Sequence, residues 1–169
     1  VIEHNVLQEC ATDSSGNALF VFNCDSAIVQ YNEAFLTRYT FGEDDAGGFD
    51  ADYRCKNTII QYNYCHHNGF GGIVVVSDGG GTNTFNDGTV VRYNVIADNT
   101  NHCIRISGNV TNTSVYNNTI YSSAAAGTVV AIWHKSWGGY CDNTHYYNNI
   151  FELQKYGSLY QLGGSTNNL

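Results

Sequence analysis

The stretch TIIQYN, residues 58–63, decides how this chain folds, because it returns in altered form along all 169 residues. Six copies are readable: VIEHN (1–5), AIVQYN (27–32), TIIQYN (58–63), TVVRYN (89–94), TSVYNN (113–118) and THYYNN (144–149). Each ends on asparagine: Asn5, Asn32, Asn63, Asn94, Asn118 and Asn149. The intervals between them are 27, 31, 31, 24 and 31 residues. Self-similarity at that period is the signature of a solenoid.

Around each asparagine the side chains alternate. Three residues earlier they are large and mostly aliphatic: Ile2, Val29, Ile60, Val91, Val115 and Tyr146. One step on they are mostly polar: Glu3, Gln30, Gln61 and Arg92, then Tyr116 and Tyr147. Two residues after the asparagine they are apolar again: Leu7, Ala34, Cys65, Ile96, Ile120 and Phe151. A period of two with this β-branched content predicts strands, not helices. An asparagine held in register on every coil can pass its amide from rung to rung at the strand spacing of about 4.8 Å. The sequence therefore predicts an asparagine ladder, each member in a turn and largely buried.

A second apolar run follows in each repeat: ALFVFN (18–23), GFDADYR (48–54), GIVVVS (72–77), HCIRIS (102–107), TVVAIW (128–133) and GSLYQL (157–162). A short third strand fits directly after the asparagine, as VLQ, EAF, YCH, VIA, TIY and IFE. The expected fold is all-β: a parallel β-helix of about six coils with three strands per coil. Parallel crossovers make it right-handed.

The motif T-I/V-I/V-x-Y/N-N, followed later by G-I/F-x-x, resembles the generic repeat of the right-handed parallel β-helix superfamily that includes pectate lyases and polygalacturonases. The resemblance runs over essentially the whole chain and speaks to the fold. The same repeat carries lyases, hydrolases, epimerases and adhesins. It implies that the outer face of the GFDADYR-type sheet, with the loops entering it, forms a substrate groove for a polysaccharide or oligosaccharide. It also implies a secreted or cell-surface setting.

Residues 1–169 read as one domain. Val1 begins inside a strand motif and Leu169 stops where a coil would start, so the expectation is a segment of a longer solenoid. Its strand edges would be open to flanking sequence or another chain. Fifteen acidic residues against seven basic give a net charge of −8, which argues against a nucleic-acid surface. No apolar run approaches a membrane span. Cys24 and Cys55 each lie eight residues before a ladder asparagine, on adjacent coils. They read either as stacked buried thiols or as a disulfide.

The candidate chemistry gathers on the groove sheet. With Phe49, Ala51 and Tyr53 inward, Asp50, Asp52 and Arg54 point out. With Ile104 and Ile106 inward, Arg105 and Ser107 point out. His134 joins that outer column if Val129, Ala131 and Trp133 are inward. Val74, Val76, Val130 and Ile132 then form an outward apolar stripe, to be covered by a loop or used for binding. Asp50 and Asp52, at i and i+2 about 6.5–7 Å apart, have three readings. They fit the acid and base of an inverting glycosidase. With Glu43, Asp44 and Asp45 they fit oxygen ligands for Ca²⁺. They also fit a solvated acidic patch beside Arg54. One of His66 and His67 could border the patch as an acid or base, or both could be structural. By analogy with lyases of the superfamily, Arg105 could abstract a proton α to a uronate carboxyl. Tyr39, Tyr53, Trp133 and above all Trp137 are candidates for stacking on sugar faces.

Two functions follow from this reading. One is a carbohydrate-active hydrolase or lyase. The alternative is a non-catalytic β-solenoid for glycan binding, adhesion or scaffolding.

Overall fold

A computed structural model of the chain describes residues 1–10, 16–78, 80–81, 84–155 and 157–164. Parts of the loops at 11–17, 77–88 and 154–157, and of the stretch after Gln161, lie outside the described residues.

The chain is an all-β parallel solenoid of about five turns. Three six-stranded parallel sheets run its length. The first holds the repeat copies: Ile2–Glu3, Ile28–Gln30, Ile59–Gln61, Val90–Arg92, Ser114–Tyr116 and His145–Tyr147. The second holds the strands after the asparagines, from Val6–Gln8 through Glu33–Phe35, Tyr64–His66, Val95–Ala97 and Thr119–Ser122 to Ile150–Leu153. The third holds the second apolar runs: Leu19–Val21, Gly47–Ala51, Gly71–Val76, Asn101–Ser107, Val129–Lys135 and Ser158–Gln161. A fourth ribbon of two-residue strands, Cys55–Lys56, Asn86–Asp87 and Val110–Thr111, was not legible in the sequence. It turns the chain from the third sheet back toward the first.

The register is the one the repeats predict. Ile2 pairs with Val29, Val29 with Ile60, Ile60 with Val91, Val91 with Val115, and Val115 with Tyr146. Leu7, Ala34, Cys65, Ile96, Ile120 and Phe151 align in the same way on the second sheet. On the third, Leu19, Phe49, Ile73 and Ile104 do so, and Ile132, expected to face outward, joins their column instead. These columns meet in one core running the length of the solenoid. Like residues stack on like because a parallel coil repeats its environment every turn, so one packing solution serves each rung.

The corner between the first two sheets explains the asparagines. The residue before each one is left-handed, with φ between 54° and 59°: His4, Tyr31, Tyr62, Tyr93, Asn117 and Asn148. For non-glycine residues that conformation costs about 1 kcal/mol, and the ladder offsets it. Each amide Nδ2 donates to the next asparagine's Oδ1 at 2.9–3.1 Å: Asn5 to Asn32, then Asn63, Asn94, Asn118 and Asn149. The same Oδ1 atoms accept a backbone N–H from the preceding rung at 3.0 Å. The four inner asparagines are buried, whereas Asn5 is exposed and Asn149 half-buried. The left-handed rings stack outside the corner, His4 on Tyr31 on Tyr62 on Tyr93, with centroids 5.0–5.3 Å apart.

A shorter second ladder lies five residues further on. Thr37 Oγ1 donates to Asn68 Oδ1 at 3.0 Å, and Asn68 Nδ2 donates to Asn99 Oδ1 at 2.9 Å. It fixes the corner from which the chain enters the third sheet.

Candidate functional site

The outer face of the third sheet carries a column that, unlike the core columns, does not repeat. Register places Phe20, Asp50, Val74, Arg105, Trp133 and Gln161 on successive rungs. One step along, Val76 pairs with Ser107 and Ser107 with Lys135. A cavity of about 640 Å³ opens over this face. Its lining includes Asp50, Asp52, Arg105, Ser107 and Lys135 from the sheet side, and Glu43, Asp44 and Asp45 from the loop before Gly47. Asn17, Tyr53 and Trp137 complete the walls.

Three links hold the loop over the sheet. Asp44 accepts a hydrogen bond from Lys135 Nζ, and its other oxygen lies 4.0 Å from Arg105 Nη1. Asn17 donates to Asp50 Oδ2 at 2.8 Å and to Asp45 Oδ1 at 3.5 Å, while accepting the Gly47 N–H at 2.8 Å. The loop thus crosses the rung of Val74, which is only 1% exposed although it sits on the outward column. Of the two fates expected for the apolar stripe, Val74 is covered, whereas Val76 lines the cavity. Ile132 is not part of the stripe at all; it packs in the core.

Two carboxyls face the cavity in different surroundings. Asp50 is 4% exposed, and its Oδ1 is buried without a hydrogen-bond partner. Burial, with the nearby Asp52 charge, pushes its carboxyl well above the usual carboxylate range, against the pull of Arg105. Asp52 is half-buried, and its Oδ1 accepts the Tyr53 N–H at 2.7 Å. Burial raises its carboxyl as well, opposed by that hydrogen bond. Arg105 is 4% exposed, with Nε and Nη1 lacking hydrogen-bond partners, and burial lowers its pKa despite Asp44, Asp50 and Asp45. Its guanidinium lies 5.7 Å from the Phe70 ring. Gly108 makes the turn after Ser107: at φ +76°, a Cβ there would fall 1.5 Å from the Ser77 carbonyl oxygen.

The cavity therefore gathers Glu43, Asp44, Asp45, Asp50, Asp52, Tyr53, Arg105 and Trp137 from the expected set. Several other residues lie elsewhere. His134 is a correction: it pairs with the core residue Ile106, turns inward, and bonds the Tyr146 hydroxyl. Burial pulls its pKa down to about 4. Trp133 and Lys135 take the outward positions instead. The run VVAIW is apolar throughout, so its own pattern does not set its phase; pairing with Asn101–Ser107 does.

Tyr53 is a second correction. The strand ends at Ala51 and the chain turns through left-handed Arg54, φ 60°. Tyr53 therefore leaves the core for the cavity wall, edge-on to Trp137 at 5.7 Å. Arg54 is exposed and does not line the cavity. His66 and His67 belong to the second sheet and its turn. His66 stacks between Phe35 and Tyr64 and bonds Glu33 at 3.1 Å, and His67 faces Asp98 at 3.9 Å. Tyr39 stacks on Phe70 outside the cavity. Lys135 and Asn17 are cavity residues that sequence reasoning did not nominate. For Lys135 the missing signal is the phase of its strand.

The carboxylates proposed for Ca²⁺ share the cavity, but Asp44 is taken up by Lys135 and Arg105. Among the described residues, no three His, Cys, Asp or Glu side chains converge to hold a metal ion.

No family model and no solved structure matches this chain. A stretch of 107 residues, 63% of the chain, is 28% identical to a lacto-N-biosidase of Bifidobacterium longum subsp. longum. The match covers 6% of that protein's length, so the chain corresponds to a small part of it.

Proposed function

We propose that this solenoid processes a carbohydrate, as a glycoside hydrolase acting in the cavity on the outer face of the third sheet. The observation that carries the reading is the pair Asp50 and Asp52: two carboxyls on one cavity wall, one nearly sealed and one half open. Environments that differ in this way divide acid from base. The similarity to a glycosidase supports a glycan as the substrate and hydrolysis over elimination.

In this reading Asp50, whose carboxyl holds its proton to higher pH, gives that proton to the oxygen of the leaving sugar. Asp52 takes a proton from water, and the water oxygen bonds the anomeric carbon as the glycosidic bond breaks. In this arrangement a water attacks from between the two carboxyls and the anomeric configuration is inverted. Arg105, buried beneath the cavity floor, supplies positive charge next to Asp50, and Trp137 with Tyr53 offers an aromatic wall. The unpartnered Oδ1 of Asp50 supports a second proposal for the same acidic wall, a Ca²⁺ ion bound first at Asp50, which requires the Asp45 and Asp52 carboxylates to draw in on binding because, among the described residues, no three carboxylates converge there beforehand.

The test is a screen of the protein against neutral and uronic-acid glycans, with and without chelator. New reducing ends that vanish in Asp50→Asn and Asp52→Asn support the hydrolase. An unsaturated, UV-absorbing product would replace it with a lyase. Glycan binding without turnover would replace it with a binding module.

A further inference from the structure

Cys24 and Cys55 lie on adjacent rungs of the solenoid, next to the parallel bridge between Asp25 and Lys56. The Lys56 N–H donates to the Cys24 carbonyl at 3.0 Å, which fixes the two backbones side by side. Their Sγ atoms are 3.5 Å apart, so both side chains point at each other within one column. Rungs of a parallel sheet are spaced at about 4.8 Å, inside the Cα range that a disulfide spans. The remaining cysteines are placed differently. Cys141 shares the column but is three rungs further along, beyond Asn86 and Val110. Cys10 is on the second-sheet side of the first coil, and Cys65 and Cys103 are sealed in the core.

We propose that Cys24 and Cys55 are a modification site: they form an inter-coil disulfide when the protein meets a small-molecule disulfide oxidant. The two thiols differ in access. Cys24 is half-buried and Cys55 fully buried. Cys24 is therefore the sulfur that an oxidant reaches. Its thiolate attacks one sulfur of the oxidant, forming a mixed disulfide and releasing one small thiol. Cys55 then gives up its proton and attacks Cys24 Sγ, and the second small thiol leaves. Two protein thiols and one small disulfide become one protein disulfide and two small thiols. Burial pushes the Cys55 thiol up to about 12, helped by the neighbouring Cys24 thiol, so the second step is the slow one.

The bond would close a covalent ring around residues 24–55. That ring contains the loop with Asp44 and Asp45 and the strand with Asp50. A crosslink over this separation constrains the unfolded chain rather than the folded one.

The experiment incubates the whole folded chain with oxidised glutathione, removes the oxidant, unfolds the protein in denaturant with an alkylating reagent so that every remaining thiol is trapped, and maps the products by mass spectrometry without reduction. The expected result is four alkylated cysteines, a Cys24–Cys55 linked peptide, and a melting temperature about 5–10 °C above that of the reduced protein. Cys24→Ser should accumulate no linked product and show no oxidant-dependent shift, while Cys10→Ser should behave as the parent. A mixed disulfide that persists on Cys24 in Cys55→Ser would confirm the order of steps. Six alkylated cysteines after oxidation, or a link between any other pair, would overturn the proposal.

Discussion

Two columns of this solenoid are built on the same rung-to-rung register and behave in opposite ways. The corner column repeats one residue, asparagine, on six coils, and each amide satisfies the next. The outer column of the third sheet changes at every rung, through Phe20, Asp50, Val74, Arg105 and Trp133. In the first, repetition converts a costly left-handed corner into a closed hydrogen-bond network. In the second, unlike neighbours leave a buried acid oxygen and a buried guanidinium without full partners. The corner spends its polar groups on the fold; on the outer face they stay without full partners, as the proposed glycan site requires.

The largest expected effect lies on the outer column. Asp50→Asn and Asp52→Asn should each lower turnover of a cleaved glycan by about 10²–10⁴-fold, the usual range for a positioned acid or base. That corresponds to roughly 3–5 kcal/mol of barrier. Neither variant should disturb the fold as seen by circular dichroism. Turnover within a few-fold of the parent in both would remove the pair from the chemistry.

On the corner column the same size of side-chain change should appear as lost stability. Asn63 donates to Asn94 and to the Val29 carbonyl, and accepts from the side chain and N–H of Asn32. Asn63→Ala leaves several of these buried groups unsatisfied and should cost about 3 kcal/mol, roughly 6–12 °C in melting temperature. Asn5→Ala, at the exposed end of the ladder, should cost about 1 kcal/mol or less. Equal losses at both positions in thermal melts would mean that the ladder is not cooperative along its length.

The ladder was fully legible in the sequence because its members are identical and in register, and the strand pairings followed from it. The second ladder was harder to find, since it mixes Thr37 with Asn68 and Asn99. On the outer face, legibility depended on whether a strand shows its own phase. GFDA and HCIRIS alternate, so Asp50 and Arg105 were placed correctly. VVAIW does not alternate, and His134 was exchanged for Trp133 and Lys135. The loop that carries Asp44 was recognised as acidic, but no local pattern could reveal that it reaches Lys135, 91 residues away.

The two columns also differ in how they should respond to pH. The Asp50 carboxyl is raised in the folded state, first by burial and then by Asp52. The folded protein therefore holds this proton more tightly than the unfolded chain. The stability from this group is complete below the unfolded value of about 3.9 and is lost as pH rises through the folded pKa. Asp50→Asn keeps a neutral side chain at every pH. It should melt higher than the parent at pH 7 and converge with it near pH 4. Asn63→Ala, with no titrating group, should show an offset that is flat over this range. A parent-to-Asp50→Asn difference that grows toward acid would reverse the assignment.

The smallest effect is expected where the loop meets the sheet. Asp44 is 57% exposed and Lys135 30% exposed, so their pair is screened by solvent and should be worth about 0–1 kcal/mol. Asp44→Asn should shift the melting temperature by no more than about 2–4 °C, and 0.5 M salt should shrink the difference further. Its local consequence should be larger than its global one. Without Asp44, Arg105 loses the carboxylate at 4.0 Å and the loop loses its tie to the fifth coil. Hydrogen exchange should then quicken across residues 40–46 while the amides of Asn63 and Asn94 stay protected, because a loop can open without breaking the ladder. If Asp44→Asn instead lowers the melting temperature as much as Asn63→Ala does, the loop belongs to the same cooperative unit as the corner. The division between a column that holds the fold and a face held ready for a ligand would then fail.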